Sequence, residues 1–440
     1  MRIHRRGILI FILFLLINLI FQAVEIKANS VKDLSQFDWR EDGYNFPVLD
    51  QQVGNCNSGY AFATIGAIQA AIWKKDKLEL DFSENNAKEC NWNAINHYVG
   101  DLMYSCKGGN SRMLINLFTQ KGLVLESCDP YESIDCECNS GCVPDYYVTE
   151  WQQFSPGYQI ASKELVKQKL IDYGPLYSQM DPKIAGFSDY TGGFVLYDNS
   201  LPDANKYTHG VLIVGWDDEL THAGGKGAWI VKNSYGTDWG NEGYFKIAYG
   251  SAGIGTSLSA VTGWEKSSSF KKLYFYDEAG HTTQTNNGEF FKPNQALALF
   301  TPKGDEIAQT VEFWSNDTAT AILRIYDNFS NGILTDLLYE SLIIDIPYAG
   351  YYSIDLIPNI EMEKDDEIVV VLEIKNKSNL FPIAVDNLGI LSEDRTWIKN
   401  DQGIWKSLPE TMKFDAGIRL RTFVWPDGFN QKVFLPLIKR

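Results

Sequence analysis

The stretch "AWIVKNSYGTDWGNEGYFKI", residues Ala228 to Ile247, decides the fold of this chain. It contains an apolar run typical of a β-strand, Ala228 to Lys232, and all but the last residue of a second, Gly243 to Ala248, and the two flank a polar, glycine-rich segment. A further strand-like run lies upstream at Val211 to Trp216. The pattern predicts a group of strands, with Asn233 between two of them.

Helical patterns precede these strands. Apolar residues recur at helical spacing from Tyr60 to Trp73, near Ser111 to Lys121 and near Lys163 to Tyr173. Because helices come first and strands later, the order favours an α+β fold over a doubly wound parallel sheet.

The C-terminal part has a different texture, which begins after the polar joint "EKSSSFKK", Glu265 to Lys272. The runs Ala319 to Asp327 and Gly350 to Ile357 alternate, whereas Glu367 to Ile374 is continuously apolar and β-branched in its centre. Turn residues recur every ~10 to 15 positions, which is typical of an antiparallel β-sandwich.

Composition bounds the function. The chain has 440 residues, of which 45% are hydrophobic, so it can bury a large core in two or three domains. The formal net charge is -17, and no cluster of Lys or Arg follows the first six residues. A phosphate backbone requires a basic surface, so these features argue against nucleic acid as a partner.

The N-terminus predicts export. Arg2, Arg5 and Arg6 precede an almost wholly apolar run from Ile8 to Phe21, which indicates a signal peptide over residues 1–28. We therefore expect a secreted protein that acts outside the cell or at its surface. The alternative is an uncleaved anchor, but ~14 to 17 apolar residues fall short of the ~20 that span a bilayer, so we expect no stable span after cleavage.

All seven cysteines lie between Cys56 and Cys142. In an exported chain they predict disulfides, and the odd number leaves one thiol unpaired. The alternative is a zinc site formed by the closely spaced group Cys128, Cys136, Cys138 and Cys142. Their spacings match no common zinc motif, so we expect no metal, and their pairing, like that of Cys90, stays open.

Three further stretches occur in a fixed order: "FDWREDGYNFPVLDQQVGNCNSGYAFA" at 37–63, "SCKGG" at 105–109 and "THGVLIVGW" at 208–216. Together with the opening stretch they resemble the papain-like cysteine peptidases, whose signature pairs a cysteine run with a downstream His and Asn. The resemblance implies a two-lobed module over residues 31–264, with a helical lobe and a β-barrel-like lobe. It also implies no cofactor, and a cleft that binds extended peptide or protein.

The resemblance assigns roles to single residues. His209 and Asn233 stand where the family has its general base and the amide that orients the imidazole. Gly108 and Gly109 stand where relatives use a glycine pair, so that the backbone can approach an extended substrate. Tyr235, in "KNSYG", is assigned to substrate binding.

The nucleophile position departs from the family pattern. Counted without gaps from the following helix, Gly59 occupies it, which implies a catalytically impaired homologue that keeps its peptide-binding cleft. This alignment also implies a disulfide between Cys56 and Cys106. If residues 57–59 were an insertion, Cys56 could instead be the nucleophile of an active endopeptidase. Ser58 is a third candidate, although a serine before a helix is more simply an N-cap.

The oxyanion donor is also out of register. Relatives place a glutamine about six residues before the nucleophile, where its amide stabilises the tetrahedral intermediate. Here Gln52 lies seven residues before Gly59 and Gln51 lies eight, so both are candidates.

The C-terminal part has a resemblance of its own. The stretches "KLYFYDEAG", "AGYYSIDL" and "FPIAVDN" resemble the lectin-like β domain of secreted prokaryotic papain-like proteins. This predicts a β-sandwich domain over residues 270–428. A further hypothesis is therefore a surface or matrix binding protein whose β domain binds a glycan or cell-surface polymer, although fold alone does not establish such binding.

Overall fold

The computed structural model describes residues 34–424, apart from 45–46, 53, 97–103, 156, 158, 201–202, 283–293, 377–381 and 401, together with Leu437–Ile438. The predicted signal peptide lies outside the described residues. Within them, no helix is both long enough and apolar enough to cross a membrane.

The described helices are, in chain order, α1 (Gly59–Asp76), α2 (Glu84–Cys90), α3 (Trp92–Ile95), α4 (Ser111–Gln120), α5 (Lys163–Tyr173) and α6 (Leu408–Met412). The three helical patterns of the sequence correspond to α1, α4 and α5. Every residue of α1 from Gly59 to Trp73 is buried, because small and apolar side chains surround the helix. It ends at Lys77, a left-handed residue whose N–H donates to the Trp73 carbonyl. This helix is therefore the core of the N-terminal region.

The strands are β1 (Gln36–Asp38), β2 (Tyr146–Gln153), β3 (Leu176–Met180), β4 (His209–His222), β5 (Gly225–Lys232), β6 (Tyr244–Ala248), β7 (Thr256–Lys266), β8 (Lys271–Tyr274), β9 (Gln295–Phe300), β10 (Glu306–Ser315), β11 (Ala319–Ser330), β12 (Ile333–Glu340), β13 (Ile344–Ile346), β14 (Ala349–Met362), β15 (Ile368–Asn376), β16 (Val385–Asp386), β17 (Thr396–Lys399), β18 (Trp405–Ser407), β19 (Asp415–Ala416), β20 (Ile418–Val424) and β21 (Leu437–Ile438). With the helices of the N-terminal region, they confirm the predicted α+β class.

One sheet runs through both halves of the protein. Its order in the described residues is β6-β5-β4-β3-β7-β2-β14-β10-β20-β8, with β1 paired to β4 and β21 to β14. The halves meet where β2 pairs with β14, with Trp151 opposite Tyr351. The joint predicted at Glu265 to Lys272 is not a free linker, since its two ends belong to β7 and β8.

A second sheet, in the order β12-β11-β15-β9-β17-β18, packs on the C-terminal part of the first. Its inward side chains, such as Leu323 and Leu372, share one buried core with Phe313 and Ile418 of the long sheet. Two antiparallel sheets with a common apolar core form the predicted sandwich.

Arg419 of β20 ties the halves together from a fully buried position. Its guanidinium donates to both carboxylate oxygens of Asp277, and also to Thr119 Oγ1 at 2.7 Å and Asn116 Oδ1 at 2.6 Å, both on α4. A buried cation needs such partners, because burial removes its hydration. The network therefore fixes α4 against the sandwich.

Candidate functional site

Gly59, the first residue of α1, faces His209. A Cβ built on Gly59 would lie 2.8 Å from Gln51 Oε1, 2.9 Å from His209 Cε1 and 3.0 Å from His209 Nδ1. A side chain at residue 59 would therefore point at an imidazole nitrogen, which is the geometry a nucleophile needs with its base. Glycine supplies no attacking atom, and the neighbouring side chains occupy the space where one would lie.

His209 and Asn233 are brought together by the pairing of β4 with β5. His209 begins β4 and Asn233 follows β5, and His209 Nε2 lies 2.8 Å from Asn233 Oδ1. Because an amide oxygen only accepts, this bond places the imidazole proton on Nε2. Nδ1 is then left as an acceptor directed at Gly59.

Burial governs the charge of this histidine. His209 is only 7% exposed, and loss of hydration lowers its pKa to about 4, although the hydrogen bond to Asn233 opposes the shift. The imidazole is therefore neutral at neutral pH. A neutral base can accept a proton, but here it has no thiol or hydroxyl on residue 59 to accept one from.

Aromatic rings enclose the imidazole. The Tyr235 ring centroid lies 5.2 Å from that of His209, and the Phe187 centroid lies 5.9 Å away. Trp239 packs on both of these rings. Tyr235 thus contributes to the wall that keeps water from the His209–Asn233 pair.

Gln51, rather than Gln52, lies at this site. Gln51 is buried, its Nε2 donates to the Cys56 carbonyl at 2.8 Å, and its Oε1 accepts from Ser234 Oγ at 2.7 Å. Gln52 is exposed, has a left-handed φ of 55° and accepts from Ser133. The extra loop residue turns Gln52 outward, so Gln52 as an oxyanion candidate does not fit this geometry.

Cys56 carries no free thiol. Its sulfur is bonded to that of Cys106, with Cα atoms 4.3 Å apart, and the neighbouring Asn57 N–H donates to the Cys106 carbonyl. The alternative in which Cys56 attacks a substrate does not fit this pairing, because a disulfide sulfur cannot form a thiolate. The helix start is instead pinned to the loop that carries Gly108.

The remaining cysteines form no metal cluster among the described residues. Two further disulfides join Cys90 to Cys138 and Cys128 to Cys142. Cys136 is the unpaired thiol of the described chain, with its pKa raised by partial burial and by a hydrogen bond to Glu132.

Ser58 is also directed away from the base. Its Oγ lies 2.7 Å from the hydroxyl of Tyr131, which itself donates to the Gln51 carbonyl at 2.9 Å. Ser58 stands at the N-cap position of α1, but its side chain makes no cap hydrogen bond. Ser58 therefore has the predicted position, but the predicted capping hydrogen bond is absent, because its hydroxyl bonds to that of Tyr131 instead.

The glycine pair presents backbone toward the other side of the site. Gly108 has a φ of +108° and nothing within 4 Å of a built Cβ, so this position is open as well as left-handed. A Cβ on Gly109 would lie 2.4 Å from the Tyr60 ring. Only glycine fits at residue 109, which lets the main chain run close over α1.

Comparison with known proteins agrees with this geometry. The model described as papain family cysteine protease matches residues 34–262, just over half of the chain. The chain belongs to the papain family of cysteine proteases. The resemblance seen in the sequence is thus confirmed, and a lectin-like domain model matches residues 273–403.

Curated relatives match the papain-family part. A cathepsin L-like proteinase of Fasciola hepatica is 30% identical over 232 residues, which are 52% of this chain and 65% of the relative. Digestive cysteine proteinase 1 of Homarus americanus is 32% identical over 234 residues, or 51% of this chain and 65% of the relative. The match thus spans just under two thirds of each relative.

Solved structures extend the likeness to both regions. The clostridial cysteine protease Cwp84 after propeptide cleavage has a TM-score of 0.70 at 19% identity, covering 89% of this chain and 99% of that chain. The cysteine protease and lectin-like domains of Cwp84, a surface layer associated protein of Clostridium difficile, give 0.69 at 19%, covering 90% and 89%. At this identity the likeness shows a shared fold.

Sequence reasoning missed two residues that shape the papain-family site. Ser234 holds the Gln51 side chain, and Tyr131 holds both Ser58 and the Gln51 backbone. Ser234 could have been identified from the sequence, since it directly follows Asn233 in the quoted motif. Tyr131 carried no local signal, because it contacts residues some seventy to eighty positions away.

Proposed function

We propose that this papain-family chain binds extended peptide or protein segments in its cleft and hydrolyses them weakly or not at all. The observation that carries the proposal is the glycine at residue 59. Its missing Cβ would point at His209 Nδ1 from 3.0 Å, so the position that should carry the nucleophile faces the base and is bare. Without an attacking atom the covalent step has no starting point.

The candidate oxyanion donor supports the same conclusion. In an active site, an amide N–H must be free to meet the oxyanion as it forms. The Gln51 Nε2 group instead donates to the Cys56 carbonyl at 2.8 Å. Two catalytic functions, attack and oxyanion stabilisation, are thus both compromised.

The recognition surface has been kept. Gly108 is open to its surroundings, and the disulfide between Cys56 and Cys106 holds it beside the N-terminus of α1. Backbone groups there can pair with an extended peptide without help from side chains. We infer that the cleft selects peptide shape and backbone, and that the protein acts outside the cell, where its three disulfides persist.

The test is fluorogenic peptide hydrolysis by the purified chain, with and without a thiol-directed covalent inhibitor, beside calorimetric binding of the same peptides. We expect no inhibitor-sensitive hydrolysis and measurable binding. Inhibitor-sensitive turnover would overturn the catalytic part of the proposal, and absence of binding would overturn the recognition part.

A matched pair of variants locates the binding. Gly108→Trp should weaken peptide binding at least tenfold, because its side chain would fill the open space. Gly108→Ala carries the same left-handed strain without the bulk, so it should bind nearly as wild type. Equal binding by all three proteins would place the peptide elsewhere.

A further inference from the structure

A small cavity borders Asn233 but not His209. It lies between α1 and β4, and it measures about 20 Å³. One water molecule needs roughly 10 to 15 Å³, so the cavity has room for one water and not for a larger solute. Most of its lining is apolar side chain or backbone, and its polar side chains are those of Gln69, Glu84, Lys232, Asn233 and Ser234.

Two polar atoms of these lining residues have no hydrogen-bond partner within the described part of the chain. They are Asn233 Nδ2 and Glu84 Oε2, and the two residues are only 3% and 2% exposed. The opposite end of the Asn233 amide, Oδ1, already bonds to His209. Because an unpaired polar atom in a buried position is costly, each of the two atoms needs a hydrogen-bonding partner in the cavity.

The chemistry of the two atoms selects the partner. An amide N–H only donates and an ionised carboxyl oxygen only accepts, so the occupant must both accept and donate. A cation would face the Asn233 amino group and the Lys232 ammonium, and the described residues contain no cluster of metal ligands. An anion would face Glu84, on which the charges of Glu126 and Asp81 also act. A neutral water molecule meets both requirements.

Lys232 favours the ionised form of Glu84. Its Nζ donates to the Pro47 carbonyl at 2.5 Å, and its side chain lines the same cavity. Burial lowers the pKa of Lys232 to about 8, and the charge of Glu84 opposes that shift. Burial raises the pKa of Glu84, and Lys232 opposes that rise in turn. Each charge therefore stabilises the other across the cavity.

We propose that one water molecule occupies this cavity, accepting from Asn233 Nδ2 and donating to Glu84 Oε2, and that Glu84 is a positioning residue for the His209–Asn233 pair. The amino end of an amide carries positive partial charge, so it is favoured on the side of the carboxyl group. Oδ1 is then directed at His209, which keeps the imidazole proton on Nε2 and leaves Nδ1 facing residue 59. This role is independent of whether the cleft binds peptide.

A crystal structure of the full chain tests the water directly. It should show one ordered water within ~2.7 to 3.2 Å of both Asn233 Nδ2 and Glu84 Oε2. A bromide soak should leave no anomalous signal at this position, because an anion is disfavoured there. A cavity without ordered water would overturn the proposal, as would a bromide ion in place of the water.

The tautomer of His209 tests the positioning role, and the nitrogen chemical shifts of the imidazole report it. The signals of His209 are those that His209→Gln removes. In the wild type the proton should lie on Nε2. Glu84→Leu removes the acceptor and should raise the minor population protonated on Nδ1 at least tenfold, whereas Glu84→Gln keeps an oxygen acceptor and should raise it less. An unchanged tautomer in Glu84→Leu would overturn the role of Glu84.

Leu114→Ala separates positioning from a general loss of stability. Leu114 lies fully buried on α4 and does not border the cavity. Its truncation should destabilise the protein and leave the His209 tautomer unchanged. A shift as large as that of Glu84→Leu would overturn the positioning role. If Glu84→Leu does not fold, Glu84→Gln carries the test, and a tautomer population identical to that of the wild type would overturn the proposal.

Discussion

The variant Gly59→Cys tests whether the site lacks only the sulfur of its nucleophile or has also lost other parts of the catalytic geometry. The new Cβ would meet Gln51 Oε1 at 2.8 Å and His209 at 2.9 to 3.0 Å, closer than carbon atoms normally approach. Both neighbours are side-chain ends, but Ser234 holds one and Asn233 the other. Relieving such overpacking typically costs ~1 to 3 kcal/mol of the free energy of unfolding.

The new thiol should nevertheless be reactive. It would lie at the N-terminus of α1 and beside His209 Nδ1, and both features favour the thiolate. At pH 6 an ordinary thiol of pKa ~8.5 is only ~0.3% ionised. We therefore expect iodoacetamide to alkylate residue 59, in a Cys136→Ser background, at least tenfold faster than it alkylates Cys136 in the wild type.

Hydrolysis by this variant should be detectable but weak. One lost oxyanion donor costs ~100- to 1000-fold in rate, and Gln51 Nε2 is already bonded to the Cys56 carbonyl. The activity should disappear on a further His209→Ala change, and Gly59→Ala should show the same loss of stability without hydrolysis. Thiol-dependent hydrolysis by the wild-type protein, abolished by Cys56→Ser, would refute the reasoning. Alkylation of the cysteine introduced at residue 59 no faster than that of Cys136 would refute it as well.

Three further outcomes follow from the same contacts. Because burial lowers the pKa of His209 from 6.5 to about 4, the unfolded chain binds its proton first. The free energy of unfolding therefore keeps its full value above pH 6.5 and drops by about 3 kcal/mol as the pH falls to 4, because the unfolded chain gains a proton that the folded chain binds only weakly. In His209→Gln this titrating group is absent, so the free energy of unfolding measured by urea denaturation should depend less on pH. Replacing both Cys56 and Cys106 by serine removes the cross-link that closes a loop with a sequence separation of 50, so the unfolded chain gains conformational freedom. The free energy of unfolding should fall by about 4 kcal/mol. An unchanged denaturation midpoint would contradict this. Arg419→Ala should cost ~3 to 5 kcal/mol because the buried Asp277 carboxyl loses its cationic partner, and Asp277→Asn in the same chain should recover part of it in chemical denaturation.

Much of the fold and part of the site could be predicted from local sequence patterns. Periodicity located α1, α4 and α5 and most long strands, because burial on one side of an element is written into its spacing. The motif around Asn233 and the glycine at residue 59 could be read without coordinates, since each depends on residue type within a short stretch.

Register and pairing between distant residues were decided only by the tertiary structure. Counting along the chain left Gln51 and Gln52 equivalent, and the loop conformation distinguishes them, because Ser234, far along the chain, binds only Gln51. The joint between the two regions looked like a linker, yet β2 and β14 make one sheet across it. Strand pairing depends on which edges meet in space, and a strand's sequence does not name its partner. The chain alone thus determined that residue 59 has no side chain, and the fold determined that this missing side chain would face His209.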